Sequence, residues 1–117
     1  MAKQFTILLG VVLLAVGLVG WVIGGHDHLL VFFGINMNHN LVHVLSGAVA
    51  LLSAFAGGEK LSKLYCLVFG AVYGLVAITG LLNVPFVVTL LNLNMADNIL
   101  HLGIASATLY FGVTSKA

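Results

Sequence analysis

The chain is 117 residues long, 62% hydrophobic and only 6% charged, with a net charge of +1 and a mean hydropathy of +1.21. Soluble domains carry about 25% charged residues, so four lysines and three acidic residues cannot cover a water-soluble surface of this size. A soluble enzyme, a disordered tail and a nucleic-acid binder, which needs a basic patch, are thereby excluded, and an integral membrane protein remains.

A membrane-crossing helix needs about 20 predominantly apolar residues. Four stretches qualify, at about 5–24, 38–57, 62–82 and 95–114. The first follows Lys3 as a secretory leader would. It lacks a small-x-small cleavage site and has a counterpart later in the chain, so a retained helix is expected. The connection 58–61 (GEKL) reads as a tight turn. The connections 26–37 and 83–94 are longer and partly apolar, with Leu29 to Phe33 and Phe86 to Leu91 expected at the outer interface or dipping into the bundle, the latter started by Pro85. All the lysines (Lys3, Lys60, Lys63, Lys116) fall on one side of these spans. The excess of basic residues on the cytoplasmic side of a membrane therefore predicts that both termini are cytoplasmic. Trp21 reads as an outer interfacial anchor, with Tyr65 and Tyr110 near inner ends. The lone Cys66 excludes an intramolecular disulfide and reads as a small packing residue.

The chain also repeats itself. Asn36, Met37, Asn40 and His43 recur as Asn94, Met95, Asn98 and His101, with Asp97 standing in for His39. Gly10 and Gly20 align with Gly70 and Gly80. A single membrane domain built of two tandem helical hairpins, about 1–58 and 59–117, is expected. Each unit contains two spans, so both enter the membrane in the same orientation, related by an axis along its normal. The motifs N-x-x-H-N-L-V-H-V-L-S-G (Asn36 to Gly47), Y-x-x-x-x-G (Tyr65 to Gly70) and A-D-N-I-L-H-L (Ala96 to Leu102) resemble those of the small bacterial membrane proteins catalogued as domain of unknown function 4383. That resemblance covers nearly the whole chain. It implies an all-α, four-helix membrane bundle, and carries no activity with it.

Positions three and four apart share a helix face. From His39 this face runs through His43, Ser46, Gly47, Ala50, Ser53, Ala54 and Gly57; from Asp97 it runs through His101, Ala105, Thr108 and Gly112. Polar groups in hydrocarbon turn to the bundle interior, and small residues let backbones approach. Gly70-x-x-x-Gly74 and the set Gly17, Gly20, Gly24 read as packing within the chain. Asn36 and Asn94 read as helix N-caps, Asn94 forming a capping box with Asp97.

Three readings of the polar cluster stand open. His39, His43, Asp97 and His101, two residues from each of two facing helices, supply the four N/O ligands of a tetrahedral site and suit Zn, Cu(II), Ni or Fe. His43 and His101, as repeat equivalents, also suit bis-His ligation of a b-type haem, or one of them a chlorophyll magnesium. In the third reading the cluster is a hydrogen-bond network within an accessory subunit or assembly factor of a respiratory or photosynthetic membrane complex. The triplet His26-Asp27-His28 reads as a solvated loop. No nucleophile with an adjacent base argues for an enzyme, and the inner halves of the spans lack the ionisable groups a transporter needs. The expected partners are the lipid bilayer and a second copy or larger membrane complex.

Overall fold

In the computed structural model, which describes residues 1–22, 28–29, 33–34 and 36–116, α1 (Ala2–Val22) leads into a minimal antiparallel ladder. There β1 (His28–Leu29) pairs with β2 (Phe33–Gly34), His28 opposite Gly34. Then follow α2 (Met37–Leu81), α3 (Pro85–Leu91) and α4 (Met95–Thr114). Apart from that ladder the described chain is helical. His26, Asp27, Gly24 and the middle of the Leu29 to Phe33 stretch lie outside the described residues.

The 45 residues of α2 would run about 67 Å as a straight helix at 1.5 Å per residue, yet the protein's longest dimension is 39 Å. The chain reverses at Gly58, whose φ of 60° and ψ of −146° are not helical. The two arms, 37–57 and 59–81, therefore form a hairpin. The Tyr65 hydroxyl donates to the Ser46 carbonyl at 2.9 Å across 19 residues, a separation that a straight helix would stretch to about 28 Å. The four-residue turn expected at 58–61 thus shrinks to one glycine. A methyl group on Gly58 would meet nothing within 4 Å, so the cost of Gly58→Ala is conformational. Backbone in this region costs a residue with a side chain about 1–3 kcal/mol. That loss is expected in reversible unfolding in detergent, and an unchanged stability would contradict it.

Glycine sets how closely the helices meet. Methyl groups on Gly10 and Gly17 would press on Ala50 and Val44 of the first arm, and one on Gly47 would collide with the backbone of Leu14 and Gly10. On the other side, Gly70 faces Leu109 and Gly112 faces Cys66 and Leu67. So α1 runs antiparallel along the first arm, and α4 antiparallel along the second. Between these pairs lies a core of Leu9, Leu13, Ala50, Tyr65, Cys66, Tyr73 and Ala105, edged by Phe5 stacked on Phe111 at 4.5 Å. Tyr65 belongs here, 3% exposed and stacked on Phe69 at 4.4 Å. It is a core residue, because the hairpin turns its face onto the first arm, where the Ser46 carbonyl satisfies its hydroxyl. Tyr110, by contrast, is exposed.

Both ends of the bundle are tied across the sequence. At the lysine-bearing end, Glu59 accepts hydrogen bonds from the Met1 ammonium (2.9 Å) and the Lys3 backbone N–H (3.1 Å), serving donors that the first turn of α1 leaves open. Lys63 Nζ donates to the Ser115 carbonyl. At the other end, Pro85 occupies the first turn of α3, and Asn92 closes that helix in the left-handed conformation (φ 52°). The axis then bends by 95° into α4. Asn36 and Asn38 donate to the Leu90 carbonyl at 2.8 and 3.3 Å, tying α3 to the start of α2. Among the described residues, α1 and α2 are each long and apolar enough to cross a membrane; α4 reaches that standard only together with α3.

Candidate metal centre

Two N-caps set the depth of the cluster. Asn36, in extended conformation, accepts from the His39 N–H at 2.8 Å, which fixes His39 in the first turn of α2 and His43 one turn below. Asn94 accepts from the Asp97 N–H at 2.9 Å, while Asp97 Oδ2 accepts from the Asn94 N–H at 3.0 Å. This is a complete capping box, and it places Asp97 in the first turn of α4 with His101 one turn below. The polar face of α4 is buried as the spacing predicts, at Asp97, His101, Ala105, Thr108 and Gly112.

The histidines converge. Ring centroids lie 4.5 Å apart for His39 and His43, 5.4 Å for His39 and His101, and 6.1 Å for His43 and His101. One nitrogen from each lies within 4.8 Å of the others. All three side chains are 1–4% exposed. Neither ring nitrogen of His43 or of His101 has a hydrogen-bond partner. A buried polar group left without one costs about 1–3 kcal/mol, so an arrangement that leaves four such nitrogens open is poor glue and a ready ligand set. Under the network reading His101 would donate to a backbone carbonyl, and neither of its ring nitrogens makes that bond.

The geometry fits an ion. A tetrahedral site with metal–nitrogen bonds of about 2.0–2.1 Å holds its ligands about 3.4 Å apart, so modest ring rotations bring these nitrogens into range. Asp97, the fourth ligand expected, stays outside the group of three; its carboxylate is turned to cap α4. A porphyrin centred between His43 and His101 meets the His39 ring, which lies closer to each of them than they lie to one another.

Two features around the cluster escaped sequence reasoning. Tyr73, from the second arm, lies against His101 with centroids 5.6 Å apart and is 3% exposed. An aromatic residue in an apolar helix gives no signal of this. Asn40 and Asn98 are both buried, and methyl groups on Gly20 and Gly80 would strike their side-chain oxygens. Their identical places in the two halves were the available signal.

These observations define a small helical protein of membrane-crossing composition with a buried three-histidine cluster at one end of its bundle. The chain belongs to the family described as Domain of unknown function (DUF4383), which matches residues 3–114. Neither a curated protein nor a solved structure gives a match.

Proposed function

We propose that this is a multi-pass protein of a bacterial inner membrane that holds a transition-metal ion on His39, His43 and His101 beneath the outer face, with both termini in the cytoplasm. The observation that carries the reading is the meeting of three buried imidazoles, two of them with both nitrogens open. Imidazole donors suit Zn, Cu, Fe and Ni. The lysine-bearing end, where Lys3, Lys63 and the Gly58 reversal meet, supports the orientation.

Recurring contacts support a single domain made of two tandem units, about 1–58 and 59–117. Gly20 meets Asn40 as Gly80 meets Asn98; Gly10 meets Leu51 as Gly70 meets Leu109; Leu14 meets Gly47 as Gly74 meets Ala105. In this reading the histidines of both units sit at one depth, and α3, bent away from α4, lies along the outer interface. The bilayer is the partner suited by exposed apolar residues on every long helix, such as Leu8, Leu52, Leu75 and Val113. An accessory subunit held together by a histidine hydrogen-bond network is disfavoured by the open nitrogens of His43 and His101.

The test is metal analysis of protein gently extracted from membranes, followed by uptake after chelator treatment. About one ion per chain is expected. A folded protein that carries no metal and takes none up would refute the reading.

A further inference from the structure

We infer that the ion this centre selects is cuprous copper rather than a divalent metal, an inference that rests on the three-histidine reading above. The ligand set points that way first. It consists of three imidazoles from α2 and α4, with the Asp97 carboxylate outside the group and engaged in its cap. Structural zinc sites are almost always four-coordinate, and zinc held by three histidines completes its shell with water, which a cluster 1–4% exposed shuts out; a cuprous ion is content with three nitrogens.

Charge gives the same answer. The site is 1–4% exposed in an apolar bundle, and the cost of burying an ion rises with the square of its charge, so a dication pays about four times what a monocation does. Both N-termini that carry the histidines, those of α2 and α4, lie at this end, each with a partial positive charge of about half a unit. The nearest acidic group on the same helix face, Asp97, one turn before His101 and 1% exposed, supplies at most one negative charge. It neutralises a monocation and leaves a dication one charge in excess.

The test uses the full chain in mild detergent under reducing, oxygen-free conditions. Copper(I) is titrated against a chromophoric copper(I) chelator and zinc(II) against a zinc chelator. One copper(I) per chain, bound at least about a hundredfold more tightly than zinc(II), is expected, with X-ray absorption at the copper edge giving nitrogen and no sulfur neighbours. Zinc binding as tight as copper would overturn the inference while leaving the metal centre standing. Failure of both ions to bind protein of unchanged helix content would overturn the centre as well.

Discussion

Leucine in place of His101 should empty the site of metal without unfolding the protein. Structural zinc sites gain about 10–16 kcal/mol from four ligands, or roughly 3 kcal/mol and a hundredfold in affinity for each. His43→Leu should cost as much, because the two rings enter from different helices and neither can stand in for the other. The metal-free protein should respond in the opposite sense. His43 and His101 keep both nitrogens buried without partners, and replacing such a group by an apolar one of similar size relieves about 1–3 kcal/mol. Each leucine variant should therefore match or exceed the metal-free parent in thermal stability while losing the ion. If the leucine variants are strongly destabilised and metal content never enters, the histidines are structural and the centre does not exist.

The second large effect lies where α1 crosses the first arm. A methyl group on Gly47 would stand 2.6 Å from the Leu14 backbone nitrogen and 2.7 Å from the Gly10 carbonyl oxygen. Backbone atoms on both sides leave no side chain to swing away. Gly47→Ala should cost about 1–3 kcal/mol, the usual range for overfilling a packed contact. Gly103 is the matched control, for a methyl group there meets nothing within 4 Å. Alanine is favoured over glycine within a helix by about 0.5–1 kcal/mol, so Gly103→Ala should stabilise. Parallel unfolding curves for the two variants in one detergent check both signs. Equal stabilities would mean that α1 and the first arm do not approach as closely as described.

Much of this was legible along the chain because helical spacing is a strong code. His39, His43, Ser46, Gly47, Ala50, Ser53, Ala54 and Gly57 were placed on one face by spacing alone; all of them are buried except Ser53 and Gly57, near the reversal, which are half-buried. The caps were legible for a similar reason: Asn followed three positions later by a residue whose N–H it can accept is a local pattern. What depended on distant neighbours was not legible. Asp97 carried the same signal for capping and for ligation, and the choice between them turns on where its carboxylate points. The place of Tyr65 near a span end was legible because it is local, whereas its burial depends on how sharply Gly58 folds one arm onto the other. Tyr73 reached His101 through the pairing of the second arm with α4, which no spacing within either helix encodes. The 95° bend before α4 likewise follows the left-handed Asn92 that closes α3, a backbone choice that its side chain permits but does not dictate.

The carboxylate that completes the leading turn of α1 comes from Glu59, 56 residues beyond Lys3, and directly follows the Gly58 reversal. As the chain is synthesised, the first helix must therefore be threaded with that turn unfinished. It remains so through the whole of the first hairpin, until the residue that opens the next one leaves the ribosome. The start of α1 thus depends on a partner from beyond the reversal, and a chain cut before Glu59 would leave those two donors to water.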